Sequence, residues 1–187
     1  VLVVSRSLFP SDLDRTNDKT DEDENGGGIL ILRGSSPSIV NCLIINNTTW
    51  AEDSDYSDKK MKPDFGLGGG LYIGAGCSPT GVNCTVADNH SNTRGGAVSS
   101  LGDPVFKNMI FWGNTASDSL IVKGVRYTYS YSLYRNLHCR DGNTDIWYSD
   151  IQYGYPVDSD PADRRCTTNS PGFIGGGSYR FSSSNSP

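Results

Sequence analysis

Gly68-Gly-Gly-Leu-Tyr-Ile73 is followed after four residues by Ser78-Pro-Thr-Gly-Val-Asn-Cys-Thr-Val-Ala-Asp-Asn89. The same pattern stands 42 residues earlier, as Gly26-Gly-Gly-Ile-Leu-Ile-Leu32 and Ser36-Pro-Ser-Ile-Val-Asn-Cys-Leu-Ile-Ile-Asn-Asn47. It returns as Gly95-Gly-Ala-Val98 and, 25 residues after the second block above, as Asp103-Pro-Val-Phe-Lys-Asn-Met-Ile-Phe-Trp-Gly-Asn114. Pro37, Pro79 and Pro104 align, as do Asn41, Asn83 and Asn108, and Asn47, Asn89 and Asn114. The first interval exceeds the second by 17 residues, which fits one polar insert running from Ala51 to about Phe65. A surface loop on a repeating scaffold absorbs such an insert at little entropic cost.

Each unit carries short apolar runs separated by Gly and Asn. A period near 25 with two short strands per unit suits a coil of parallel strands, in which like positions stack at the ~4.8 Å strand spacing. The expected fold is all-β: a right-handed parallel β-helix of about three to five coils with an irregular C-terminal part. Cys42, Cys84 and Met109 should then form one interior ladder, and Ile44, Val86 and Phe111 a second on the same face. Ile29, Leu71 and Val98 should stack on a neighbouring sheet. Asn41, Asn83 and Asn108 fall where a strand bends, because Asn tolerates the left-handed backbone conformation.

Outward from the repeats, residues 1–24 read as an N-terminal strand and an acidic loop, and residues 25–124 as the coils. Residues 125–187 read as a Tyr-rich strand and an irregular closing segment of the same domain, because Tyr127, Tyr129, Tyr131 and Leu133 alternate with polar residues. Both ends suggest that the chain is part of something longer.

Composition agrees with this class. The 187 residues include 22 glycines and few helix formers, which disfavours helix when summed over windows. A formal charge of −5 with scattered Lys and Arg argues against nucleic acid or an anionic membrane surface as partner. No run approaches the ~18 apolar residues that a membrane-spanning helix needs, so no membrane insertion is expected.

The five cysteines contain no CxxC spacing, which removes the zinc-ribbon and thioredoxin readings. Cys42 and Cys84 read as core filling, and Cys139 with Cys166 as a candidate disulfide. Asn46, Asn47, Asn83 and Asn89 each begin an N-x-S/T sequon and are glycosylation candidates. With the composition, they point to an extracellular or cell-surface setting. No cofactor is expected. Calcium is the one ion with a pattern: Asp53, Asp55 and Asp58, and Asp141, Asn143 and Asp145, place oxygen ligands at short intervals. The second set lacks the Gly and the closing Glu of a complete calcium loop.

The repeat resembles the right-handed parallel β-helix superfamily, best known from pectate-lyase-like proteins. Gly95-Gly-Ala-Val98 and Phe111-Trp-Gly-Asn114 are similar to the GGA-(I/V/L) and FxxN motifs of polymorphic outer-membrane adhesins. The first two units have Ile44 to Asn47 and Val86 to Asn89 where FxxN would stand. The resemblance covers residues 25–117. Ser170-Pro-Gly-Phe-Ile-Gly-Gly-Gly-Ser-Tyr-Arg-Phe181 resembles the closing coil of secreted β-helix domains. The superfamily implies a fold rather than an activity, since it hosts lyases, hydrolases, adhesins and fibres.

The catalytic sets of that superfamily are incomplete here. Its lyases use an Arg or Lys base beside a calcium cluster, and no matching Arg motif occurs. Of the polygalacturonase motifs only Asn143-Thr144-Asp145 is present, alone. The two histidines, His90 and His138, read as structural. The expectation is therefore a non-catalytic extracellular structural protein, a fibre subunit or adhesin segment that self-associates or packs against neighbouring copies. The alternative is a carbohydrate-binding or polysaccharide-cleaving protein, with Tyr72, Trp112, Trp147, Tyr148 and Tyr153 as candidates to stack on sugars.

Overall fold

The computed structural model describes residues 2–5, 8–9, 25–32, 34–49, 66–117, 119–122, 125–128, 136–139, 144–152, 166–168 and 170–171. Among them there is no helix. In chain order the strands are β1 (Leu2–Ser5) and β2 (Leu8–Phe9), then β3 (Ile29–Ile31), β4 (Ser38–Val40), β5 (Cys42–Ile45) and β6 (Thr48–Thr49). Next come β7 (Leu71–Ile73), β8 (Thr80–Val82), β9 (Thr85–Ala87) and β10 (His90–Ser91). They are followed by β11 (Val98–Ser100), β12 (Val105–Lys107), β13 (Ile110–Trp112) and β14 (Thr115–Ala116). After β15 (Ser119–Val122) and β16 (Val125–Thr128), the chain forms β17 (Leu137–Cys139), β18 (Asp145–Trp147) and β19 (Asp150–Ile151).

These strands sort into four parallel sheets that the chain visits in a fixed order. The first holds β3, β7, β11 and β17; the second β4, β8, β12 and β18; the third β1, β5, β9, β13 and β19; the fourth β2, β6, β10 and β14. Every pairing within them is parallel. The exception is β15 with β16, an antiparallel pair in which Val122 faces Val125. Each passage through the sheets is called a tier below.

Register follows the sequence repeat. Ile29, Leu71, Val98 and Leu137 are in line in the first sheet, and Ile44, Val86, Phe111 and Ile151 in the third. Such a column forms because strand side chains alternate between faces, so one phase of every strand points inward. The apolar core is made of these columns. In the second sheet Ile39, Gly81, Phe106 and Ile146 are in line. A Cβ built on Gly81 would lie 2.7 Å from the Phe106 ring, so the glycine gives the room that the phenylalanine fills. Phe106 meets Phe111 edge to face at 5.6 Å between ring centroids.

The aligned prolines are compatible with the ladder because a proline carbonyl still accepts. Thr80 donates to Pro37, Val105 to Pro79 and Asp145 to Pro104, each at 3.0 Å.

The sequence suggests a Tyr-rich strand and an irregular closing segment over residues 125–187. The strands β17, β18 and β19 instead resume the stack: Val98 pairs with Leu137, Val105 with Asp145 and Ile110 with Asp150. One further contact, a parallel bridge between Asp150 and Thr167, extends the third sheet beyond this tier.

Candidate functional site

Two corners organise the side chains that carry chemistry. The corner between the second and third sheets needs one residue with left-handed backbone in every tier. Asn41, Asn83 and Asn108 take it with φ of 54°, 53° and 53°, and Tyr148 takes it with φ of 52°. Asn is among the residues that enter this region most readily, whereas a bulky residue there is uncommon and strained. Outside this corner the Asn108 amide donates to Asn83 Oδ1 at 2.7 Å. Tyr148 is 54% exposed and stands beside the half-buried Trp147, with ring centroids 6.5 Å apart.

One residue further on, the chain turns its side chains inward. By register this column is Cys42, Cys84, Met109, Ser149 and Cys166. Its polar members return hydrogen bonds to the strand just left. Cys42 Sγ donates to the Val40 carbonyl at 3.3 Å, Cys84 Sγ to Val82 at 3.2 Å and Ser149 Oγ to Trp147 at 2.8 Å. Burial raises the Cys84 thiol above its ordinary value, with the nearby Cys42 thiol adding to the effect and backbone hydrogen bonds opposing it.

The corner between the third and fourth sheets places Asn46 (φ 55°), Asp88 (φ 53°) and Gly113 (φ 67°) in the left-handed region. The next residues, Asn47, Asn89 and Asn114, are fully buried and joined in a ladder. Asn47 Nδ2 donates to Asn89 Oδ1 at 3.0 Å, and Asn89 Nδ2 to Asn114 Oδ1 at 2.9 Å. The same oxygens accept the backbone N–H groups of Asn47 and Asn89 at 3.0 Å. Asn89 Nδ2 and Asn114 Nδ2 also reach the carbonyls of Ile44 and Val86. A buried amide is tolerated only when its donors and acceptors are satisfied, and this column satisfies them tier by tier.

The fold thus separates the four sequons. Asn46 and Asn83 are exposed, whereas Asn47 and Asn89 are buried with their amide nitrogens engaged. Asn47 and Asn89 are therefore excluded as acceptors in the folded chain. Cys139 and Cys166 carry free thiols in the structure, as do the other three cysteines. Cys139 aligns with Ser100 in the first sheet. Cys166 belongs to the interior column and donates to the Ile146 carbonyl at 3.5 Å. Burial pushes the Cys139 thiol up to about 11, opposed by a hydrogen bond with Thr144.

Of the residues proposed to stack on sugars, Tyr72 is only 2% exposed and is removed from that set. Trp112 and Trp147 are half-buried, Tyr148 is exposed, and Tyr153 lies outside the described residues. Asp53, Asp55, Asp58, Asp141 and Asn143 also lie outside them, while Asp145 begins β18 in register with Val105. Among the described residues no group of three or more His, Cys, Asp or Glu side chains is placed to hold a metal.

The histidines lie on different sheets. His90 begins β10, bonds Thr115 Oγ1 through Nδ1 at 2.9 Å, and has its pKa lowered by burial. His138 bonds Ser99 Oγ through Nδ1 at 3.0 Å. That serine is fully buried and the histidine nearly so, which leaves no open face for a substrate at this pair.

A third feature had no sequence signal beyond the 17-residue excess. The chain between Phe9 and Asn25, between Thr49 and Gly66, and between Ala116 and Asn136 always leaves after a strand of the fourth sheet. It always returns before a strand of the first. The second of these mouths is tied shut: Thr49 Oγ1 donates to the Gly66 carbonyl at 2.9 Å, and Ser91 Oγ from the next tier donates to the same oxygen at 2.6 Å. No helix is long and apolar enough to cross a membrane among the described residues. No protein-family model matches this chain, and no match was found among the curated proteins or the solved structures compared with it.

Proposed function

We propose that the chain is a short right-handed parallel β-helix of three to five coils, of the pectate-lyase-like kind, serving as a non-catalytic structural segment of an extracellular or cell-surface protein. It acts as a fibre subunit or adhesin segment and associates end to end. The observation that carries this reading is the direction of its hydrogen bonds. Strand pairing runs from tier to tier, so the donors and acceptors of an end tier point along the stack. Among the described residues, β17 and β18 have a strand partner on one side only. An open row of this kind is a template for another chain. The polar inserts leave at one corner and do not interrupt the interior columns, as suits a scaffold that displays loops.

The test is sedimentation velocity over a range of concentrations, with negative-stain imaging. The reading expects a mass that rises with concentration and particles that grow along one axis. A monomer that persists at micromolar concentration overturns it.

A second reading, carbohydrate binding, draws on the exposed Tyr148 and its neighbour Trp147. Aromatic faces of this kind stack on sugar rings. A glycan array on the wild-type chain, with Tyr148→Ala as control, tests it; no bound glycan removes it.

A further inference from the structure

The interior column at the corner between the second and third sheets holds one adjacent pair of cysteines. Leu43 pairs with Thr85 and Ile44 with Val86 in parallel register, which puts Cys42 opposite Cys84 one residue earlier. The Cys84 sulfur already reaches the lower tier, where it accepts a hydrogen bond from the Cys42 backbone N–H at 3.3 Å and lies 3.4 Å from the Ile39 carbonyl. In-register residues of a parallel sheet have Cα atoms about 4.8 Å apart, inside the ~4.4–6.8 Å window of disulfides. Their near-parallel Cα–Cβ bonds keep the Cβ atoms about 4.8 Å apart as well, a few tenths of an ångström beyond the ~3.5–4.5 Å of disulfides. Joining the sulfurs therefore needs a changed side-chain torsion and a small closure of the two tiers, with no change of register.

We propose that Cys42 and Cys84 form a disulfide between neighbouring tiers when the chain folds in an oxidising medium. The other neighbours in the column offer no competing thiol: Cys42 faces Leu2 on its far side, and Cys84 faces Met109. Cys139 lies beside Ser100. The contacts given up are weak S–H donations to the carbonyls of Val40, Val82 and Ile39.

In the reaction, one cysteine thiolate attacks a small disulfide such as oxidised glutathione and releases one small thiolate. The second cysteine then attacks the mixed disulfide and releases the other. The two protons lost by the cysteines end on the two small thiols, so one S–S bond is broken and one is made. Cys84 is 1% exposed and its thiol is raised by burial, so the bond forms while the tiers are still docking. The bridge closes a separation of 42 residues that contains the acidic insert. A cross-link of that span restricts the unfolded chain.

The test is refolding of the full chain with a reduced and oxidised glutathione pair, then alkylation and mapping without reduction. The expected product is a cross-link between Cys42 and Cys84, with the other three cysteines alkylated. Cys77 and Cys84 share the tryptic peptide that ends at Arg94, so tandem fragmentation must place the bond. The oxidised form should melt about 5–10 °C above the same sample after reduction. Five alkylated cysteines in protein that has regained its β-rich spectrum overturn the proposal, as does a bridge between any other pair.

Discussion

Asn114 donates from Nδ2 to Asn136 Oδ1 across 3.0 Å, although the two asparagines stand at different corners of the chain's path. Asn136 occupies the register position of Gly28, Gly70 and Ala97, just before the first sheet. In two tiers a Cβ at that position would crowd the ladder asparagine, lying 2.9 Å from Asn47 Nδ2 at Gly28 and 3.1 Å from Asn89 Nδ2 at Gly70. Three residues after Phe111 comes Asn114, but three after Ile151 comes Gly154. The amide and the glycine have exchanged places in the sequence, and Asn136 continues the ladder from the opposite side.

Asn136→Ala is expected to lower stability by about 2–4 kcal/mol, because the lost side chain bonds Asn114 Nδ2 and the carbonyls of Phe111 and Gln152 in or near the interior. Asn83→Ala, on the exposed ladder outside, should cost about 1 kcal/mol. Urea unfolding of both variants checks the contrast, and equal losses would show that the interior amides carry no special weight.

Tyr148→Asn should stabilise the fold by about 1 kcal/mol and raise the melting temperature by roughly 2–4 °C. The backbone there has φ of 52°, a conformation that the three lower tiers assign to Asn. Loss of the ring beside Trp147 offsets part of the gain, since Tyr148 is largely exposed. A lower melting temperature would show that the ring contributes more than the backbone strain costs.

Gly81→Ala should cost about 1–3 kcal/mol, because the new methyl meets the Phe106 ring at 2.7 Å. Phe106→Leu should recover part of that loss when combined with it, while costing stability alone. A double-mutant cycle measures the coupling, and strictly additive effects would contradict the shared space.

Cys139 links the fold to alkaline pH. Its thiol is raised from 9.0 to about 11 by burial, so the folded chain keeps a proton that the unfolded chain releases above pH 9. Stability from this group is complete below pH 9 and is lost between about pH 9 and 11, with a slope approaching ~1.4 kcal/mol per pH unit. In the reduced chain the raised Cys84 thiol acts in the same direction. Urea midpoints between pH 8 and 11 should fall more steeply for wild type than for Cys139→Ala, and parallel curves would refute the linkage.

Much of the arrangement was legible because three units repeat the same residues at the same offsets. Pro, Asn and Gly each answer a backbone demand that recurs in every tier, so their alignment reports register directly. The tier from Leu137 to Ile151 was not legible because it meets the same demands with different residues. Tyr148 stands where the others have Asn, Ser149 where they have Cys or Met, and Asn136 reaches the ladder from elsewhere. The sequons misled for a related reason. Asn46 and Asn47 are adjacent, yet the bend between them sends one side chain to solvent and the other to the interior. The bridge at Asp150 and Thr167 brings Cys166 into the interior column, a placement that sequence spacing does not reveal.

The hydrogen bond from Thr49 to Gly66 makes the neck of an excursion part of the framework. Residues added or removed beyond that neck change the contour length of the chain but leave the phase of every column untouched. The three excursions that leave after the fourth sheet and return before the first thus share one seam, where a spliced-in foreign peptide would need no retuning of the interior.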